Sequence, residues 1–529
     1  MSSPTTRDSA VHAVHAPTIW TAAAAVFVAQ MCLTALAPLN DTIQITFGAS
    51  ATQLTWLTAA VFIPTALLEL NFGVLGDIFG RKRLTLIGLV AVVVGAVVGF
   101  LSTTIVVLAI GLVLLGLGAA ILLPSTLASA AEYSPDDESR AHALSRWAIA
   151  ISLGAAVSPL ASALMVQQFG LGSAFLPILV AAVVAFVLVA RFARESRSEH
   201  KRVLDWPGQI SVVIGLLALI FGVIQGSEMG YGSPEVIIAF AVAVAALVAF
   251  GWIELRSANP MFQVRLLKIP AFAAAAAAGL LGMLGFMGTA YSVAIKLGPI
   301  AHAAPLMVAL PFVLIQLVPL ALAGWLPKLV HRVSPRTLLV TGLLLLAVGQ
   351  GWLALLADGT TDLLSLAVPI LLLGIGFIVM FTSLTAAAVN SVSREHIGMA
   401  SGATSLVRET GQTLGPAVVA AIAIGTASTA TAQQLNSGEL PAEVAGAANE
   451  VFAAGGPLAV ANAPLPDAIR EVVAPIATAA LERGFDLGLL TMAGLSVVSA
   501  LIVLIVMRSS VKPEAISLTP APADEEDNA

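Results

Sequence analysis

Charge is what this chain of 529 residues lacks most: Asp, Glu, Lys and Arg make up 10% of it, against 58% apolar residues. A water-soluble domain is about a quarter charged, so this chain has too little polar surface to face water on all sides. Cysteine occurs once, at Cys32, which excludes an internal disulfide, and no metal-ligand spacing of His and Cys is present. No G-x-x-x-x-G-K-[ST] loop and no nucleophile motif occurs, so neither an enzyme nor a nucleotide-driven machine is expected. Aromatic residues are sparse at 6%, with three Tyr. That disfavours an aromatic cage for a cation and favours a smooth apolar cavity. The net charge of −6 carries no nucleic-acid signature.

What is present is a series of long apolar runs. A helix needs about 20 such residues to cross a bilayer. Runs of that kind lie at 18–40, 54–76, 84–103, 105–131, 144–166 and 171–191. Two more follow at 207–226 and 235–255, then six at 270–295, 303–326, 336–356, 364–389, 398–426 and 486–507. Lipid obliges each segment to satisfy its own backbone, so the fold class is all-α, a polytopic membrane protein of fourteen spans. Residues 1–17 form a short polar tail without a cleavable signal pattern. With the N-terminus in the cytoplasm, 21 of the 24 basic residues fall inside and only Lys296, Arg470 and Arg483 outside. That bias fixes the orientation, with both termini cytoplasmic.

A weak internal repeat divides the chain. Gly73-Val-Leu-Gly76-Asp77-Ile-Phe-Gly80-Arg81-Lys82-Arg83 follows the second span, and Gly324-Trp-Leu-Pro327-Lys328-Leu-Val-His331-Arg332 follows the tenth. The expected plan is a six-helix half at 18–191 and a linker with two extra helices at 192–269. A second six-helix half follows at 270–507, then an acidic cytoplasmic tail at 508–529. Residues 427–485 are expected to form an external loop, partly helical around 466–483, that offers a surface to an accessory protein.

The run from Gly73 to Arg83 resembles the signature loop of the major facilitator superfamily. The fourteen-span plan, with Leu204-Asp205-Trp-Pro-Gly208 before the extra pair, resembles its drug:proton antiporter branch. Gly116-Leu-Gly118 to Pro124, Ser257-Ala-Asn-Pro260 and Arg408-Glu-Thr-Gly411-Gln-Thr-Leu-Gly415-Pro416 are weaker matches. The resemblance implies export of hydrophobic or amphipathic small molecules, including cationic ones, from the cell across the cytoplasmic membrane. No cofactor is implied, the energy coming from the proton gradient. It also makes Gly73, Gly76, Asp77, Gly80, Arg81 and Lys82 a gating motif. The glycines would allow a tight turn and close helix approach, and Arg81 and Lys82 would pair with carboxylates across the halves.

Three departures stand out. The first-span acid of the branch is missing where Cys32, Leu33 and Thr34 stand, and its fourth-span arginine is replaced by Leu112. The fifth-span motif survives only as Gly154, Ser158, Pro159 and Ser162. An ionisable group inside a span costs about 2.5–3.5 kcal/mol on insertion scales, so those that remain are candidates. Glu69 and Asp41 are the candidate coupling or substrate residues. Arg408 and Glu409, opening span thirteen, form a possible gate pair, and Lys296 is free to reach the surface. Gly154, Pro159, Gly411, Gly415 and Pro416 are bending and packing positions. Of the embedded amides Gln30, Asn71, Gln316 and Gln350, one or two are expected to line a cavity. A lipid or metabolite exporter without ordinary proton coupling, or a membrane sensor or scaffold that moves no solute, would account for the same departures.

Overall fold

The computed structural model describes residues 15–507 apart from 135, 198–203, 258–259, 323–324, 327–328, 330–331, 392–396 and 463–464. Among the described residues all regular structure is helical. The first span is α1 (Ala16–Thr34), continued through a 3-10 turn into α2 (Asn40–Phe47). The first half is completed by α3 (Ala51–Phe79), α4 (Arg81–Phe100), α5 (Ile105–Glu132), α6 (Asp137–Phe169) and α7 (Leu176–Phe192). The extra pair is α8 (Trp206–Met229) and α9 (Pro234–Arg256). The second half holds α10 (Pro270–Ile295), α11 (Pro305–Leu322), α12 (Pro335–Ala354) and α13 (Leu363–Asn390). It ends with α14 (Ile397–Leu435), α15 (Ala442–Asn462) and α16 (Asp467–Val506). Polar side chains set several of the starts by accepting a backbone N–H three residues on: Ser50 for α3, Thr104 for α5, Asp205 for α8 and Asp362 for α13.

The two halves repeat one packing scheme. α1 lies on α6 as α10 lies on α14, α3 on α5 as α11 on α13, and α4 on α7 as α12 on α16. Corresponding pairs meet backbone to backbone. A methyl group on Gly154 would stand 2.4 Å from the Phe27 carbonyl oxygen, and one on Gly411 or Gly415 would stand 2.3 or 2.5 Å from that of Leu280 or Leu284. In lipid no hydrophobic force draws helices together, so such close contacts carry much of the association. The halves meet along α3 with α14 and along α6 with α11. α8 packs on α3 and α14 from outside, and α9 beyond it leaves Ile237, Ile238, Val244 and Trp252 exposed, as a lipid-facing surface does.

Among the described residues fifteen helices are long and apolar enough to cross a bilayer, one more than the sequence count of fourteen. The surplus is α15. α14 and α16 are antiparallel, since a methyl on Gly484 would meet the Ala423 carbonyl oxygen at 2.3 Å and one on Gly488 would meet Val419 Cγ2 at 2.7 Å. The segment joining them therefore leaves and re-enters the bundle at the same face, and α15 is not a span. It breaks at Gly456 (φ 69°) ahead of Pro457. Its Ala448 and Val460 pack with Leu435, Val473 and Ala477 in a small core of their own. The expected loop 427–485 is thus helical for most of its length, with α14 and α16 both running on past the spans foreseen for them. Alanine-rich composition explains this: it is too polar to read as a span but well suited to helix.

If the Gly411 contact holds the second half together, Gly411→Ala will destabilise the protein by about 1–3 kcal/mol. Gly425→Ala, which places a methyl with no neighbour within 4 Å, will not. Thermal unfolding of the two variants in detergent checks this.

Candidate functional site

Between the halves lies a cavity of about 140 Å³, walled by residues of α1, α2, α3, α6, α10, α11, α13 and α14. Its polar side chains are amides (Gln30, Asn40, Gln316, Gln412) and the hydroxyls of Thr34, Thr58 and Tyr291. None of the residues that line it is Asp, Glu, Lys, Arg or His. Of the embedded amides, Gln30 and Gln316 face the cavity, while Gln350 is fully buried and accepts a bond from Ser496 Oγ at 2.9 Å. The few aromatics concentrate here, against the expectation of a smooth wall. Phe62, Phe286, Tyr291, Phe312 and Phe377 all line it. The Phe286 and Phe377 rings stack at 4.2 Å and 16°. From Phe377 the series runs on to Phe381 at 5.6 Å, over which the Arg408 guanidinium stands at 5.1 Å. Overall composition could not reveal this clustering, because it arises from helices far apart in sequence.

Beside the cavity is a charged cluster. Arg408 Nη2 lies 3.0 Å from Glu409 Oε1, and Gln412 Nε2 donates to Glu409 Oε2 at 3.1 Å. Glu409 is 6% exposed. Glu69 of α3 stands within electrostatic reach of both Glu409 and Arg408, and its Oε2 is buried with no hydrogen-bond partner among the described residues. The structure therefore brings Glu69 together with the Arg408–Glu409 pair across the seam between the halves. It also corrects the view that this pair opens its span: α14 begins at Ile397, which puts Arg408 about three turns inside. Thr413 and Leu70 knit the same seam, Thr413 Oγ1 reaching the Phe62 carbonyl at 3.4 Å and Leu70 Cδ2 lying 3.7 Å from where a methyl on Gly402 would stand.

The Gly73–Arg83 run joins α3 to α4. Arg81 Nη2 lies 3.0 Å from Asp77 Oδ1 and its Nη1 3.1 Å from Glu132 Oε2. Lys82 donates through its backbone N–H to Glu195 Oε1 and through Nζ to the Ala190 carbonyl, both at 2.9 Å. These partners lie in the first half or, for Glu195, in the linker just after it, so among the described residues the expected pairing of Arg81 and Lys82 across the halves is not made in this conformation. Gly80 has φ 109°, and a methyl there would fall 2.6 Å from the Glu195 carboxyl carbon. Gly73 and Gly76 lie inside α3 with ordinary room, the nearest atoms at 3.6 and 3.7 Å, so close approach does not require glycine at either. Of the second copy of the run, Gly324, Pro327, Lys328 and His331 lie outside the described residues, as do Ala258 and Asn259 of the Ser257–Pro260 match.

At the opposite end of the bundle the halves touch again. Asp41 Oδ1 and His302 Nδ1 are 2.9 Å apart, and the hydroxyls of Thr55 and Tyr291 are 2.8 Å apart. Asn462, at the end of α15, donates to the Pro299 carbonyl at 3.1 Å. His302 has φ 49°, the sole positive value outside glycine among the described residues. The hydrogen bond to Asp41 raises its imidazole pKa above the ordinary 6.5, against the opposing effect of burial. Lys296 does not run to the surface; it is ion-paired with Asp486. Cys32 and Leu112 are buried apolar positions in this bundle, Pro159 lies inside α6, and Pro416 of α14 lines the cavity.

With two six-helix halves around a central cavity, the molecule has the architecture of a membrane transporter. The family model of the Major Facilitator Superfamily matches residues 22–416. The chain belongs to the major facilitator superfamily, and is a multi-pass membrane transporter and not an enzyme. It is 28% identical to the multidrug resistance protein Stp of Mycobacterium tuberculosis, over 72% of this chain and 70% of that protein. It is 29% identical to the multidrug efflux pump LfrA of Mycolicibacterium smegmatis, over 83% of this chain and 85% of that one. The tetracenomycin C resistance and export protein of Streptomyces glaucescens is 25% identical, over 76% of this chain and 75% of its own length. Among solved structures, a POT family transporter with bound 5-aminolevulinic acid matches in fold with a TM-score of 0.62. It shares 13% identity, over 92% of this chain and 95% of that one.

A raised His302 pKa has a definite pH signature. Its contribution to stability is fully present below the ordinary value of 6.5 and is lost as pH rises through the higher folded-state value. The side chain is about half exposed, so the effect is at most about 1 kcal/mol. The difference in unfolding midpoint between the native protein and His302→Gln should therefore shrink as pH rises above neutrality; a constant difference would remove the ion pair from the account.

Proposed function

We propose that this protein exports hydrophobic or amphipathic small molecules from the cytoplasm by exchange with protons. The observation that carries the reading is the pairing of a central cavity without charge and an adjacent cluster, Glu69 with Arg408 and Glu409, that can hold a proton. Glu69 takes the place of the first-span acid that this sequence lacks. Protonation removes the charge from its buried, unpartnered carboxyl, and a charged Glu69 draws on Arg408 instead. Those two arrangements favour different positions of α3 against α14, the elements that form one of the two seams between the halves. The names of the relatives support drug-like cargo.

The distribution of basic residues supports an orientation with the Asp77 end and both termini in the cytoplasm of a bacterial cell, and Asp41, His302 and the helical cap on the outer side. In that orientation the Asp41–His302 and Thr55–Tyr291 contacts form an outer gate that must part for release, and the cavity fills from the Asp77 end. One charge crossing 100 mV supplies about 2.3 kcal/mol, which sustains a gradient of several tens-fold.

Dye transport into proteoliposomes under an imposed pH gradient tests the reading. The native protein should concentrate a lipophilic dye only with the gradient, and Glu69→Gln should lose at least about tenfold of that rate while still binding the dye, a loss of some 1.4 kcal/mol in coupling. Undiminished, gradient-dependent transport by Glu69→Gln would overturn Glu69 as the proton site.

A further inference from the structure

We infer that the cavity selects uncharged, planar aromatic molecules bearing hydrogen-bonding groups on the ring edge, and discriminates against fixed cations. This rests on the cavity being the cargo site, as proposed above, and adds what the cargo must be.

The first ground is what the wall cannot offer a cation. No acidic side chain lines the cavity. The nearest carboxylate through the hydrogen-bond network is Glu409, whose two oxygens are taken by Arg408 and by Gln412, and Glu69 stands outside the lining. A cation entering would give up its hydration, at a cost of several kcal/mol. Ring faces alone would return about 0.5–2 kcal/mol. One of the aromatic rings that leads from the cavity, Phe381, already carries the Arg408 guanidinium, so a second positive charge would approach a standing one.

The second ground is what the wall does offer. Phe286 and Phe377 present a pre-stacked pair, nearly parallel at 4.2 Å, against which a further ring can lie in the offset arrangement that aromatic groups prefer. The pair belongs to α10 and α13, so the wall on that side is formed before cargo arrives. The amides of Gln30 in α1 and Gln316 in α11 have no hydrogen-bond partner among the described residues, and Asn40 keeps a buried, unpartnered Oδ1. Each amide supplies a donor and an acceptor. A carbonyl or N–H at a ring edge satisfies them, and a bare hydrocarbon leaves them unmet at about 1–3 kcal/mol each.

Two probes of one tricyclic frame separate the alternatives: acridone, neutral with a ring carbonyl and N–H, and N-methylacridinium, a fixed cation. Their binding to the purified full-length protein is read from fluorescence anisotropy, with size-exclusion profiles to show that each variant is folded. Acridone should bind at least about tenfold more tightly than N-methylacridinium. Phe377→Leu should weaken acridone about two- to tenfold, the span of one aromatic contact. Gln316→Leu should narrow the preference for acridone by weakening it alone. Equal or tighter binding of the cation overturns the inference, as does the absence of binding by either probe to folded protein. Because the measurement needs no gradient, native protein that moves dye without regard to the gradient would sink the proton-exchange reading and leave this one standing.

Discussion

A carboxylate inside a bilayer must have a proton, a counter-charge or a hydrogen-bond donor, and most of what this molecule does with its few charges follows from that rule. Its charges collect at three levels. Asp77, Arg81 and Glu132 pair at one end of the bundle, Asp41 with His302 and Lys296 with Asp486 at the other. Between them, Glu409 is held by Arg408 and Gln412, while Glu69 keeps an oxygen that nothing among the described residues satisfies, as Asp205 and Glu254 do beside the extra pair.

The level at which Glu69 meets Glu409 is set by backbone packing. α14 is fixed against α10 because Gly411 and Gly415 let it ride on the carbonyls of Leu280 and Leu284. α3 is fixed to α5 in the same way, a methyl on Gly116 falling 2.2 Å from the Val61 carbonyl oxygen. Each half is thus internally stiff at the depth of the cavity. The seam between them is looser: the Thr413 contact with the Phe62 carbonyl is long, at 3.4 Å, and Gly402 has no tight neighbour. Stiff halves and a softer seam are what rocking of one body against the other requires.

The helical spans and the repeat could be read from the sequence because lipid leaves one way to satisfy a backbone and hydropathy marks where it applies. The Glu69 candidate could be read for the same reason, a charge in an apolar run being costly enough to notice. The cavity could not. Phe286, Phe377, Gln316 and Gln412 lie on different helices and converge only through tertiary packing, so a 6% aromatic content suggested a bare wall where there is a stacked one. The segment 427–485 misled in the opposite sense: a composition rich in alanine and glycine reads as loop by its polarity, yet Ala448, Val460 and Val473 find enough apolar neighbours to fold a helical cap. The span count held because α15 closes on the face it leaves.

Gln412 joins the two halves of the chemistry. It lines the cavity and at the same time donates to Glu409. A hydrogen bond to a charged group is worth about 1.5–3 kcal/mol. A ligand that draws the Gln412 amide toward itself therefore unsettles Glu409 by an amount comparable with the 2.3 kcal/mol that 100 mV confers on one charge. Under the proposed exchange, Arg408 would then divide its charge differently between Glu409 and Glu69, and the protonation of Glu69 would shift accordingly. The linkage is reciprocal: whatever a bound ligand does to the proton, the proton does to the ligand. An uncharged cavity beside a charged cluster is thus no obstacle to exchange. In the proposed exchange it would let cargo and proton occupy different places while one amide makes each sensitive to the other.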